Sequence, residues 1–125
     1  MKFTIDKQEK YTLFKLDEPR LNSLISPKLK SELILINKQG IRNIILDLSV
    51  VLYSDSSGLS SLLVGNRLCK NSEGSFIITG ISEHVERLIN ISQLQTVLSF
   101  TPSVEEGIDL LYMEEMERDL NRGAE

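Results

Sequence analysis

Two short, almost uninterrupted apolar runs constrain this chain more than anything else in it. One is Asn43-Ile44-Ile45-Leu46-Asp47-Leu48, and the other is Phe76-Ile77-Ile78-Thr79. A strand with one wet face alternates apolar and polar residues. A strand without that alternation is covered on both faces. The stretch between the runs, Ser57 to Asn71, carries Leu59, Leu62, Leu63 and Leu68 at helical spacing. Two doubly covered strands joined by a helix form a parallel crossover, because a tight turn cannot join parallel strands.

The flanking segments extend this pattern in both directions. Phe3–Asp6 and Tyr11–Leu16 pair β-forming residues two apart and are separated by the polar Lys7–Lys10, which predicts a hairpin. Asp17-Glu18-Pro19-Arg20 interrupts the second strand, since proline cannot donate to a ladder. Ser26-Pro27 opens a helix, with Ser26 expected to cap it and Pro27 suited to its first turn. Leu29, Leu33 and Ile36 form its apolar stripe, broadened by Leu35, and Gly40 ends it. Ser82 caps a third helix bearing Val85, Leu88 and Ile89. Gln93–Thr96 is a polar connection, and Val97–Phe100 is a last strand. Ser103 and Glu106 have capping-box spacing ahead of a final helix with Ile108, Leu111 and Tyr112 on its apolar face.

The order β-β-α-β-α-β-α-β-α predicts a single α/β domain. Its sheet should be mixed but mostly parallel, with an N-terminal antiparallel hairpin and about four covering helices. The domain is expected over 1–116, with the charged stretch 117–125 frayed.

Composition removes several functions. The chain has 125 residues, 41% of them hydrophobic, enough for one core without metal or disulfide support. Cys69 is the single cysteine and His84 the single histidine, which excludes an internal disulfide, a cysteine-rich zinc site and a multi-histidine metal site. No cofactor is expected. A net charge of −4 argues against direct nucleic-acid binding, which needs a basic surface. No run approaches the ~20 apolar residues that span a bilayer, and no apolar signal core follows Lys2. The reading is a cytoplasmic protein without membrane contact, a monomer or weak dimer.

The segment Ser54-Asp55-Ser56-Ser57-Gly58-Leu59 lies between a buried strand and a helix, where α/β sheets place ligand sites. Asp and Ser there are also ordinary helix caps, and Gly58 can serve close packing alone. The functional alternative is a hydroxyl switch. Phosphorylation would add about −1.5 to −2 charges at one spot beside Asp55, expelling a docked partner while the domain stays folded.

Other chemistries find too few residues. Asp47 could imitate the acceptor of a receiver domain, but Asp6 lacks an acidic neighbour and no lysine follows Lys70. A serine hydrolase would have to draw its base from His84, and the strained nucleophile elbow is absent. Gly58 is not followed by the lysine of a phosphate-binding loop. The protein is therefore expected not to be an enzyme. Cys69 reads as a small packing residue. Met113 and Met116 read as core or edge packing, with an apolar contact patch as the alternative.

The run Ile44-Ile45-Leu46-Asp47-Leu48-Ser49, followed by Tyr53-Ser54-Asp55-Ser56-Ser57-Gly58-Leu59, resembles the signature of the STAS domain, and of bacterial anti-sigma-factor antagonists in particular. Arg20-Leu21-Asn22-Ser23 sits where that family commonly has Gly-x-Leu-Asp, with Asn22 in place of the aspartate. Gly80-Ile81-Ser82-Glu83-His84-Val85 and Ile91-Ser92-Gln93-Leu94 resemble later family segments. The resemblance implies a non-enzymatic binding module. Its partners would be an anti-sigma factor that is also a serine kinase, and a serine phosphatase that restores the unmodified form. It makes Ser56 the phosphorylation site. It places Leu21, Asn22, Ser23, Asp55, Ser56, Ser57, Gly58 and Leu59 at the partner-binding rim. The alternative it allows is a non-switching docking or scaffold module for another signalling protein.

Overall fold

The computed structural model describes residues 1–123. Five strands form the main sheet in the order β1-β2-β4-β6-β7. They are β1 (Phe3–Lys7), β2 (Thr12–Leu16), β4 (Ile44–Asp47), β6 (Phe76–Thr79) and β7 (Ser99–Thr101). β1 runs antiparallel to β2 and every other pairing is parallel. The four helices are α1 (Ser26–Lys38), α2 (Ser56–Asn71), α3 (Glu83–Ile91) and α4 (Val104–Gly123). The mixed sheet, the opening hairpin and the helix count agree with the reading from sequence.

The uninterrupted apolar runs become β4 and β6, each buried along its whole length. Successive side chains on a strand point to opposite faces. Ile44, Leu46, Phe76 and Ile78 accordingly meet Leu29 and Leu33 of α1, Leu59 and Leu62 of α2, and Val85 and Ile89 of α3 in one large core. Ile45 and Ile77 point the other way and meet Leu111 of α4 in a smaller one. Three helices thus cover one face and a single helix covers the other.

Several local expectations change. Ser26 does not cap α1, because its hydroxyl donates to the Asn22 carbonyl at 2.8 Å. The Asn22 side chain instead accepts from Leu24 N–H at 3.1 Å and Ile25 N–H at 3.3 Å, so the chain turns into the helix around Asn22. Leu35 is half exposed and does not widen the buried stripe. The last strand begins at Ser99, after a 3₁₀ turn over Leu94–Thr96. Ser82 and Ser103 do cap as expected, accepting from Val85 N–H at 3.3 Å and Glu106 N–H at 3.2 Å.

α4 continues through Gly123, over most of the stretch expected to fray. Arg118 holds it, donating to Ser75 Oγ at 2.9 Å and to Glu115 Oε1 at 2.7 Å. Glu115 also accepts from Asn43 at 2.8 Å and Arg42 at 3.0 Å. Burial works to raise the Glu115 carboxyl, but the Asn43 and Arg118 hydrogen bonds and the two arginine charges outweigh it and hold the group at about 2. Ala124 and Glu125, the end of that expected tail, lie outside the described residues.

Candidate functional site

Two short strands unforeseen in the sequence build the rim beside the main sheet. β3 (Arg20–Leu21) and β5 (Tyr53–Ser54) pair in parallel, Arg20 opposite Tyr53 and Leu21 opposite Ser54. The pairing is extended at both ends. Pro19 C=O accepts from Leu52 N–H at 2.9 Å, and Leu21 C=O accepts from Asp55 N–H at 3.2 Å. This ladder brings the Leu21–Ser23 loop against the start of α2.

Asp55 is the N-cap of α2. Its carboxylate accepts from Ser57 N–H at 3.0 Å and Gly58 N–H at 3.2 Å, satisfying two of the free donors at the helix start. It also accepts from the Ser57 hydroxyl. That hydroxyl bond is the main cause holding the Asp55 carboxyl below its usual range; partial burial opposes it, and the backbone N–H groups of Gly58, Ser57 and Ser23 assist. Asp55 therefore stays ionised and engaged.

Ser57 Oγ lies 3.1 Å from Ser26 Oγ, which links the start of α2 to the start of α1. Gly58 is required by space. A Cβ there would overlap Ser54 Oγ and lie 2.8 Å from the Leu21 carbonyl oxygen. Leu21, Gly58 and Leu59 are buried, with Leu59 only 6% exposed, so they shape the rim from beneath. Asn22, Asp55 and Ser57 are half-buried, and Ser23 and Ser56 are exposed. Among the described residues, the Ser56 hydroxyl makes no hydrogen bond, unlike those of its neighbours Ser54 and Ser57.

The structure adds neighbours that the sequence reading did not place here. The Tyr53 ring stacks on His84 with centroids 4.9 Å apart, and the Arg20 guanidinium sits 5.6 Å from the Tyr53 ring centroid. Leu52 is exposed, and its carbonyl accepts from the Ser82 hydroxyl at 3.3 Å. The sequence signals for them are the pair of large side chains Leu52-Tyr53 just before the polar loop, and the family-like segments that hold Arg20, Tyr53 and His84. His84 is thus stacked on a surface tyrosine, with no serine hydroxyl bonded to it among the described residues. Asp47, at the end of β4, accepts from Ser49 N–H at 2.9 Å and closes the strand end. Cys69 is buried, which pushes its thiol up to about 12 and leaves it a packing residue.

Among the described residues no three acidic, histidine or cysteine side chains are grouped to hold a metal ion, and no helix is long and apolar enough to cross a membrane. The site presents an exposed hydroxyl on a firmly capped helix start, with aromatic and cationic side chains beside it.

The fold is shared with known structures at low sequence identity. An anti-sigma-factor antagonist (STAS) domain protein from Planctomyces limnophilus superposes with a TM-score of 0.80 at 15% identity, covering 88% of this chain and 97% of that one. The Bacillus cell fate determinant SpoIIAA in its phosphorylated form gives 0.67 at 20% identity, covering 86% and 97%. A variant of RsbS from Moorella thermoacetica gives 0.73 at 21%, covering 98% and 99%. The model of the STAS domain matches residues 2–107, which include the hairpin, the β3–β5 rim, the capped start of α2 and every strand of the sheet. The chain belongs to the STAS domain family.

Proposed function

We propose that this protein is an anti-sigma factor antagonist in a phosphorylation-controlled partner switch. In its unphosphorylated form it docks a kinase-type anti-sigma factor through the start of α2 and the Asn22–Ser23 rim. Ser23 and Ser56 touch the partner, while Leu21, Gly58 and Leu59 hold the surface in shape. The observation that carries this reading is the Ser56 hydroxyl, exposed in the first turn of α2 and unbonded between two engaged residues.

The electrostatics favour a switch there. A helix N-terminus carries roughly +0.5 of an elementary charge. Asp55 already occupies it. A phosphate on Ser56 would add about −1.5 to −2 charges beyond what the helix end can neutralise. The excess would face the partner, while the cap and the core stay intact. Kinase and phosphatase belong to the partners, along with any nucleotide and magnesium they use.

The test is a binding titration against the anti-sigma factor of the same cells. Ser56→Ala should bind like the unmodified protein and take no phosphate. Ser56→Asp should bind at least about tenfold more weakly, a loss of about 1.4 kcal/mol in complementarity. Equal affinity of the unmodified, Ser56→Asp and phosphorylated forms would refute the switch and leave a constitutive docking module.

A further inference from the structure

The outer face of α4 is apolar where solvent should favour polar residues. Tyr112, Met113, Met116 and Leu120 are 41%, 59%, 63% and 71% exposed. Met116 lies four residues from both Tyr112 and Leu120 and three from Met113, which gathers the four side chains in one stripe along the helix. The expectation that Met113 and Met116 pack into the core or its edge is therefore overturned. The same helix is held firmly from behind, by Leu111 in the small core and by Glu115 and Arg118 in their hydrogen-bond network. The stripe is thus presented on a fixed helix and does nothing for its docking onto the sheet, apart from the edge contact of Tyr112 with Tyr11.

The charges beside the stripe are mainly acidic. Asp109 lies one turn before Met113, Glu117 one turn after it, and Asp119 three residues beyond Met116. Asp119 is paired with Arg122 at 3.2 Å, whereas Asp109 and Glu117 are in no ion pair among the described residues. Arg118 is turned to the sheet. A second copy of this helix, in either direction, would set carboxylates against carboxylates. An anionic lipid surface would meet the same repulsion. A cationic amphipathic helix would satisfy both the stripe and its rims, and methionine side chains adapt readily to such a guest.

We propose that the exposed face of α4 docks a basic amphipathic helix of a protein partner, at a site separate from the Ser56 rim. The probe is a synthetic Leu/Lys amphipathic peptide titrated into isotope-labelled protein, with the Leu/Glu version as counterpart. The Leu/Lys peptide should shift the amides of 109–120 and the Leu/Glu peptide should not. Met116→Ser with Leu120→Ser, and separately Asp109→Lys with Glu117→Lys, should each weaken binding at least about tenfold. Added salt should weaken it as well. Because all four positions are exposed, these variants are expected to keep the fold, which the amide spectrum itself reports. Ser56→Asp should bind the peptide unchanged, so this proposal and the switch fail independently. Shifts scattered over other acidic surfaces, or affinity indifferent to the variants, would overturn the proposal. A dimer in sedimentation that Met116→Ser with Leu120→Ser dissolves would assign the stripe to a second copy instead. Binding of anionic vesicles through the stripe would likewise overturn it.

Discussion

Asp55, Ser56 and Gly58 lie within four residues of one another, yet each meets a different physical demand. Asp55 closes the helix start, so Asp55→Ala should destabilise the fold by about 1 kcal/mol, read as a shift in the urea midpoint. Gly58 sits where any side chain meets Ser54 and the backbone of Leu21. Gly58→Ala should therefore cost about 1–3 kcal/mol through overpacking and disturb the β3–β5 rim, measurable by denaturation and by amide shifts at Leu21–Ser23. Ser56 has neither duty, so Ser56→Ala should stay within about 0.5 kcal/mol of the unmodified protein. This contrast separates a surface residue available for modification from the framework that presents it. The sequence made all three residues visible as a capped helix start. It could not show which serine is free, because that depends on the Ser57 hydroxyl turning back to Asp55 and towards Ser26.

At the scale of elements, strands and helices with a strong period were legible and short or unusual ones were not. β4 and β6 stood out because burial on both faces leaves an apolar run. β3 and β5 are two residues each, too short for any period, and they form only because Pro19 and Leu21 carbonyls meet the Leu52–Asp55 backbone. α2 misled in another way. Its leucines suggest an apolar face, but its buried face also holds Gly58, Ser61, Gly65, Asn66 and Cys69, small or polar residues that allow close approach to neighbours. Gly65 lies under the Phe76 ring, where a Cβ would be 2.6 Å from ring carbon Cε1. Leu111 is the fully buried apolar anchor of α4, so Leu111→Ala should cost about 2–5 kcal/mol by calorimetry or urea unfolding. Its exposed neighbour Leu120 should tolerate serine with almost no change.

The whole molecule divides into two ends of one sheet with different tasks. The start of α2 and the β3–β5 rim flank the end where β4 leads out. The Asn43–Glu115–Arg118 network ties the opposite end to α4. Glu115 is held at about 2 in the fold, below its ordinary value of 4.5. A lowered carboxyl stabilises the fold above its unfolded value and loses that contribution as pH falls through its folded value. Acid should thus erode stability between about pH 4.5 and about pH 2, and Glu115→Gln should flatten that part of the stability profile while lowering its neutral-pH plateau. The architecture was legible as a chain of parallel crossovers. The polar clamp was not, since Arg42, Asn43, Ser75, Glu115 and Arg118 are scattered along the sequence and converge only when α4 crosses the sheet.

The central claim is that Ser56 carries the switch. Phosphopeptide analysis of the protein from its native cells, with Ser56→Ala as control, tests it most directly. The account predicts a single phosphate on the peptide containing Ser56, lost in the variant. A phosphate that maps to another residue, or none under any growth or stress condition, would contradict it and reduce Ser56 to a residue of the helix start.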